Sequence, residues 1–257
     1  MSFPGVVYGV SGDEKVAQSA KIGDLPLGVR LVLEDGRIFA HAKMGTVAGV
    51  PGKLYRQAAL VGDHGNIAGS GLILPTAVAV CDTSIYVKAS ACSVITTDQY
   101  DEGFMTVCTG TAGIGYTYKI KSHNSAAVGI TCTVKLEQSD AIAATIAAGT
   151  TAVSLRKNPF DAIVIAASTV PTAPAGVLPV AVSAGFYCWV QRRGTVAILT
   201  AATTIATGFG VVASTTVGGA VQAQSAAGSA LADYPILGIA QNTVTAADYG
   251  NIYLMLE

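Results

Sequence analysis

Apolar and polar residues alternate one by one along several stretches of the chain. In 116–121 the apolar residues Tyr116, Tyr118 and Ile120 occupy every second position, and 130–136 repeats the pattern. Successive side chains of a strand point to opposite faces, so a two-residue period indicates a strand with one buried face. Only small or polar residues, 124–127, separate the two stretches, which we predict to be neighbouring antiparallel strands.

Turn signals support the same fold class. Two apolar runs within 31–39 are joined through Asp35-Gly36, a dipeptide typical of the type I′ hairpin turn, in which both central residues need positive φ. The 29 glycines serve further turns. We therefore predict an all-β protein of β-sandwich or barrel-like subdomains, with antiparallel hairpins and an extended N-terminal segment. At least three quarters of the regular structure should be β, with one helix at 140–148.

Proline and glycine clusters predict the domain organisation. Three prolines in 171–179 favour an extended linker that cannot join a central strand ladder, and a second break lies at 62–66. These breaks give an N-terminal arm with a hairpin region at 1–65, a central β domain at 66–170 and a C-terminal β domain at 171–257. The sequences of the two outer segments, 1–65 and 171–257, resemble each other. Duplication of one segment and a shared amino-acid composition explain this similarity equally well.

Composition excludes several classes of protein. Charged residues make up 12% of the chain, about half the usual share of roughly 25%. Such a chain exposes apolar surface, which marks contact sites, unless its small Ala, Val and Thr side chains limit the exposure. The longest apolar run, 177–190, is too short and too interrupted to span a membrane, and no signal peptide is visible at the N-terminus. The net charge of −1 offers no basic patch for nucleic acid.

Residues that carry chemistry are few. We interpret His41 as a solvated strand residue, His64 as part of a turn and His123 as the end of a strand, and no Gly-x-Ser-x-Gly motif occurs. The acids of 98–102 are compatible with a cation but favour a solvated turn. We therefore predict no enzymatic activity, no cofactor and no metal. The five cysteines are distant from one another in sequence, and we expect free thiols made in a reducing cytosol: Cys81, Cys92, Cys108, Cys132 and Cys188.

The aromatic strand at 186–191 contains the only tryptophan, Trp189. Alternation places Tyr187 and Trp189 on one face and other apolar residues on the opposite face, so both faces should be buried. Aromatic residues and arginine are enriched at interface hot spots. Whether Trp189 fills the core or contacts a partner stays open. The candidate interface residues are Tyr187, Trp189, Arg192, Arg193 and Tyr253.

Several stretches resemble structural proteins of tailed bacteriophages: 25–39, 113–122 and 179–191. The ending, 235–240 followed by 248–256, resembles the closing hairpin of capsid decoration (cement) proteins. The resemblance implies a virion protein made in the host cytoplasm and seated on the outer surface of the capsid. Its partners would be the major capsid protein and further copies of itself, with a homotrimer as first choice.

Two alternatives to this function remain. One is another virion component, such as a head fibre, tail or receptor-binding protein. The other is a carbohydrate-binding module, in which Tyr187, Trp189 and Gln191 would form a sugar-binding platform on one face of a strand.

Overall fold

The computed structural model describes residues 5–65, 72–89, 93–110, 112–149, 151–167, 173–224 and 234–257. Strands account for 42% of the structure and helices for 6%. Strands therefore make up well over three quarters of the regular structure, which confirms the predicted all-β class. Contacts within the chain define two units, the first formed by Met1–Ala58 together with Pro159–Glu257 and the second by Ala59–Asn158.

The strands of the described residues are, in chain order, β1 (Val6–Gly9), β2 (Ala17–Gln18), β3 (Arg30–Leu33), β4 (Ile38–Lys43), β5 (Leu54–Arg56), β6 (Leu72–Ile73), β7 (Ser84–Ala89), β8 (Phe104–Val107), β9 (Thr117–His123), β10 (Thr131–Leu136), β11 (Val153–Arg156), β12 (Val164–Ile165), β13 (Pro174–Val177), β14 (Tyr187–Leu199), β15 (Gly210–Ala213), β16 (Val221–Ala223), β17 (Gly238–Ala240) and β18 (Tyr249–Met255). Helical structure is limited to α1 (Gly62–Gly65) and the 3-10 turns Asp13–Lys15, Ile22–Asp24 and Gln138–Asp140.

The first unit is built around the 13-residue strand β14. The sheet runs in the order β1-β3-β4-β14-β18-β17-β15-β16, and β2, β5, β12 and β13 attach beside this path. Neighbouring strands are antiparallel except β1 and β3, which are parallel. Strand β14 pairs with β4 along one edge and with β18 along the other. Strands from the N-terminal and C-terminal segments, which the sequence suggests as separate regions, thus share one sheet.

Strand β13 corrects the predicted proline linker. Pro174–Val177 pairs with β5 on one side and β14 on the other, and Ala175 and Val177 are buried. The prediction that this stretch stays outside a ladder is therefore wrong. Pro174 stands at the first position of the strand, where a residue without an N–H is tolerated. Pro171 lies outside the described residues.

The second unit is a six-stranded antiparallel sheet in the order β11-β8-β9-β10-β7-β6. An isolated bridge between Ile73 of β6 and Ala152, the residue before β11, links the two ends of the sheet, which is therefore a nearly closed barrel around an apolar core. The predicted antiparallel pairing of β9 and β10 is confirmed.

The predicted helix at 140–148 is wrong. The only helical part of this region is the 3-10 turn Gln138–Asp140. Beyond it the chain is not helical, and Ile146 exchanges both backbone hydrogen bonds with Val78. Pairing with a distant segment satisfies the backbone here and buries Ile142 and Ile146, so the helix preference of the alanines is overridden.

The hairpin between β3 and β4 is present, but its turn differs from the prediction. Leu33 accepts the N–H of Gly36, and its own N–H donates to the carbonyl of Arg37. Of residues 34–36 only Gly36 has a positive φ, +82°. The turn is therefore of the three-residue type that ends in a left-handed glycine, not type I′.

A local motif occurs eight times in the described residues of the two units, and we call it the bridge-and-turn. In each copy one buried residue, the bridge residue, forms two backbone hydrogen bonds with the bridge residue of another copy. A strand begins five to nine residues after each bridge residue. The pairs are Gly49 with Val182, Val78 with Ile146, Ile95 with Ala126, and Ile205 with Val244. The residue three positions after each bridge has a positive φ: Gly52, Cys81, Asp98, Gly129, Gly149, Gly185, Gly208 and Ala247.

Candidate functional site

Trp189 belongs to the core of the first unit. Its side chain is 3% exposed and packs with Leu31, Leu33 and Phe39. On the opposite face of β14, Cys188 and Val190 belong to another buried cluster of the same unit. Both faces of the aromatic strand are thus buried as predicted, and layers of one unit cover both. Of the two alternatives for Trp189, this burial favours the core.

Tyr187 and Arg192 are also engaged within the chain. The ring of Tyr187 lies 5.6 Å from that of His41, and the Lys43 Nζ atom lies 5.4 Å from the Tyr187 ring centre. Arg192 donates to the carbonyls of Pro174, Ala175 and Leu256 and pairs with the Glu257 carboxylate at 3.1 Å. Arg192 therefore links β13 and the C-terminal residues to β14. These contacts engage its guanidinium group in stabilising the fold.

Arg193 and Tyr253 lie together on the solvent side of the sheet. Strand β18 alternates strictly, with Gly250, Ile252 and Leu254 buried. The opposite side chains of β18 and those beside them on β14 and β17 are exposed, and we call this surface the outer face. It consists of Arg193, Thr195, Ala197, Ile239, Tyr249, Asn251, Tyr253 and Met255.

The outer face is largely apolar. Ile239 stands directly opposite Tyr253, and Met255 directly opposite Arg193. Ile239, Tyr249, Tyr253 and Met255 are between 36% and 48% exposed. Their backbones are fixed by strand pairing and by the core beneath, so these side chains form a rigid surface with one cationic corner.

Two hollows border this surface. One, of about 650 Å³, is lined by Asp35, Arg37, Arg193 and Tyr253 among others. The other, of about 440 Å³, shares Arg37 and Thr195 with the first and extends to Tyr249, Pro51 and Leu178.

The polar groups in the second hollow are largely satisfied by the protein itself. The buried Glu14 carboxylate accepts the N–H of Gly12 at 2.6 Å and contacts Arg37 at 3.4 Å. The Gln191 amide donates to the carbonyls of Arg193 and Thr195. What this hollow offers to a partner is therefore mainly apolar surface.

His123 ends strand β9 as predicted, but the histidines are more buried than a solvated strand or turn would leave them. His41 and His64 are fully buried and His123 is 8% exposed, so the predicted solvated position of His41 is wrong. A strand or turn residue is solvated only if no other element covers it. Here β14 and its aromatic side chains cover His41, and the 96–102 turn covers His64.

Cys132, His123 and Asp101 are the residue types of a thiol hydrolase, but their geometry opposes that chemistry. The Cys132 sulfur lies 3.9 Å from Nδ1 of His123, and an oxygen of Asp101 lies 3.7 Å from Nε2. Burial raises the pKa of the Cys132 thiol to about 11, and the thiol donates to the Asn124 carbonyl. A protonated, fully buried thiol cannot act as a nucleophile toward a substrate in solvent.

Metal-ligand clusters and membrane-spanning helices are absent from the described part of the chain. No group of three or more His, Cys, Asp or Glu side chains there is placed to hold a metal ion. No helix within the described ranges is long and apolar enough to cross a membrane. The described cysteines, Cys81, Cys108, Cys132 and Cys188, are free, and Cys92 lies outside the described residues.

Comparison with known proteins gives no relative: no family model, no curated protein and no solved structure matches the chain. The outer face is therefore the feature of the molecule that bears most directly on function. Of its residues, Arg193 and Tyr253 were predicted from the sequence as interface residues, whereas Ile239, Tyr249 and Met255 were not. The alternation of 249–255 contains the missed signal, because glycine and aliphatic residues occupy one face and Tyr249, Tyr253 and Met255 the other.

Proposed function

We propose that the protein is a capsid decoration protein, which binds the outer surface of a tailed-phage head and stabilises the shell. The observation that carries the proposal is the outer face, a rigid apolar surface with Tyr253 at its centre and Arg193 at its edge. Exposed apolar patches on a soluble protein mark interaction sites, and tyrosine and arginine are typical anchors of such sites. The partner in this proposal is the major capsid protein.

A surface of this kind suits a subunit that acts by contact. The registered pairing of β14 with β18 extends over seven residue pairs, from Arg193–Met255 to Leu199–Tyr249, so little order has to be gained on binding. Many copies on a symmetric shell add their individually weak contacts, and a homotrimer would multiply them further. Because such a protein binds the assembled shell and not its unfolded subunits, it stabilises the shell by mass action.

The carbohydrate-binding alternative loses its proposed platform. Trp189 is 3% and Gln191 2% exposed, so neither side chain can stack on or hydrogen-bond to a sugar in solvent. A head fibre, tail or receptor-binding role stays as the outcome to be separated by experiment.

The test compares phage particles that lack the protein with particles to which purified protein is added back. Wild-type protein should sediment with the particles and raise the temperature at which they release DNA. The double variant Tyr253→Ser/Ile239→Ser should remain folded, because both side chains face solvent, but should neither bind nor protect. The matched control is Tyr86→Ser, which removes an exposed tyrosine from β7 of the other unit.

Equal heat resistance with and without the protein would refute the decoration role. If those particles instead lose adsorption to host cells, a receptor-binding role takes its place. If the outer-face variant binds and protects like the wild type, the contact surface lies elsewhere and the proposal loses its structural basis.

A further inference from the structure

Two buried histidines of the second unit meet at one tyrosine. Nδ1 of His64 lies 2.5 Å from the Tyr100 hydroxyl, and its Nε2 lies 2.8 Å from the carbonyl oxygen of Ser93. Nε2 of His123 accepts the backbone N–H of Tyr100 at 2.9 Å, and its Nδ1 lies 3.0 Å from the carbonyl oxygen of Asn124. Both nitrogens of both rings are therefore used.

These partners fix the protonation of each ring. A backbone N–H can only donate, so Nε2 of His123 carries no proton and Nδ1 donates to the Asn124 carbonyl. A carbonyl can only accept, so Nε2 of His64 carries a proton. In the neutral ring Nδ1 then accepts from the Tyr100 hydroxyl. That hydroxyl in turn accepts a hydrogen bond from the Gln99 amide at 3.1 Å. The hydrogen bonds of the folded unit thus require a neutral His123 and favour a neutral His64 of the opposite tautomer.

An alternative acceptor for protonated His123 is already in place. Oδ1 of Asp101 is buried, has no hydrogen-bond partner and lies 3.7 Å from Nε2 of His123. A proton on Nε2 would point at the Tyr100 N–H, so two hydrogen-bond donors would face each other. A small movement of the His123 ring would let this proton be donated to Asp101 instead. Protonation of His64 on Nδ1 would require the Tyr100 hydroxyl to accept instead of donate, so the hydroxyl proton would have to turn to another acceptor.

We propose that His64, Tyr100 and His123 form an acid-sensitive latch, which holds α1, the 96–102 turn and the end of β9 together at neutral pH and releases them when the imidazoles take up protons. The latch lies within the second unit and does not depend on the proposed function. Opening of the latch is local, since it breaks the contacts of the 96–102 turn while the paired strands of the six-stranded sheet remain in place.

The sign of the pH dependence follows from proton binding. The hydrogen bonds of the closed latch oppose a proton on Nε2 of His123 and disfavour one on Nδ1 of His64, whereas histidines of an unfolded chain take up protons below about pH 6.5. The open form therefore binds more protons, and the closed form loses stability as the pH falls through that range. Other charged groups surround the latch: Asp63, whose carboxylate accepts the Ser93 hydroxyl, Asp98 and Glu102 near Asp101, and Lys135 beside His123.

Asp101 acts in the opposite direction. Burial raises the pKa of its carboxyl group, although His123 lowers it in part. The folded protein thus takes up a proton at Asp101 more readily than the unfolded chain, which favours the folded form in acid. Asp101→Asn removes this opposing contribution and the negative charge that would stabilise protonated His123 in the closed latch, so this variant should open at a higher pH than the wild type.

The first measurement uses unmodified protein. Nitrogen chemical shifts near pH 7.5 should show His123 protonated on Nδ1 only and His64 on Nε2 only. Hydrogen-exchange protection of the Tyr100 amide, corrected for intrinsic exchange, should fall about tenfold or more between pH 7.5 and pH 5. Amides of β18 in the first unit serve as the internal control and should change far less.

The second measurement uses variants. Gln at position 123 offers an acceptor to the Tyr100 N–H but takes up no proton, so His64→Gln/His123→Gln should abolish the loss of protection. The control His41→Gln replaces the buried histidine of the first unit and should retain the full loss. The latch is refuted if wild-type protection is independent of pH, if the double variant keeps the full loss, or if either ring shows the other tautomer. The tautomers and the wild-type exchange decide the matter even if the double variant does not fold.

Discussion

Gly208 and Ala247 occupy the same position in two paired copies of the bridge-and-turn. Each follows its bridge residue, Ile205 or Val244, by three positions, and the φ angles are +83° for Gly208 and +59° for Ala247. Both residues therefore adopt the left-handed backbone conformation. Glycine adopts it freely, whereas alanine does so at a steric cost.

The difference between these two residues predicts that exchanging them for each other's residue type changes stability in opposite directions. Ala247→Gly should stabilise the protein by about 0.5–1 kcal/mol because it relieves the penalty of the left-handed conformation. Gly208→Ala should destabilise it by about 1 kcal/mol, since no atom lies within 4 Å of the added methyl group and only backbone strain changes. Denaturant unfolding measures both values. Shifts of the same sign in the two variants would contradict the equivalence of the copies.

Trp189→Ala should destabilise the first unit by about 3–5 kcal/mol, because the ring is buried among Leu31, Leu33 and Phe39 and its removal leaves a cavity. Trp189→Phe should cost less, since much of the volume is retained. Unfolding followed by circular dichroism gives both values without relying on tryptophan fluorescence. Tyr8→Ala, which truncates a side chain that is 81% exposed, is the control and should change stability by about 0.5 kcal/mol or less.

Alkaline pH should weaken the protein through its buried thiols. Burial raises the pKa of Cys188 to about 12 and that of Cys132 to about 11, from an ordinary value of 9.0. Above about pH 9 the unfolded chain releases protons that the folded protein retains, so the free energy of unfolding falls as the pH rises, by up to about 1.4 kcal/mol per pH unit for each thiol. The raised pKa of Tyr55 adds to the decline at higher pH.

Denaturant unfolding at a series of pH values from about 8 to 11 tests this. Cys188→Ala should reduce the slope, whatever its effect on stability near neutral pH. Val190→Ala is the control: it truncates a buried side chain of the same cluster that has no titratable group, so it should leave the slope unchanged. A slope that is equal in the wild type and in Cys188→Ala would show that the Cys188 thiolate is tolerated in the folded state.

Arg192→Lys should destabilise the first unit by about 1–3 kcal/mol although the charge is kept. The guanidinium reaches three carbonyl oxygens and one carboxylate at once, which the single ammonium group of lysine cannot reproduce. Arg193→Lys is the matched control, since Arg193 is an exposed neighbour on the outer face. Thermal unfolding of the two variants should separate them clearly, and equal midpoints would argue against the structural role of Arg192.

Local sequence patterns were enough for the fold class and for several strands. Alternation identified β9 and β10 and their antiparallel pairing, and Asp35-Gly36 marked the hairpin between β3 and β4. These features depend on residues close to one another in the chain, because a strand's two-residue period and a short turn are both local. Arg193 and Tyr253 could be selected for the same reason, as residue types on strands with one polar face.

The tertiary structure decided the features that depend on residues far apart in the chain. Burial of Trp189 and His41 requires β4 to pair with β14, and the latch requires α1, the 96–102 turn and β9 to meet. Strand β18 looks terminal in the sequence but lies between β14 and β17. Its exposed outer face therefore follows from its place in the sheet. A local pattern predicts that one face of a strand is buried. Which of the strand's side chains stay exposed to a partner is determined only by the strands and the core that pack around that strand.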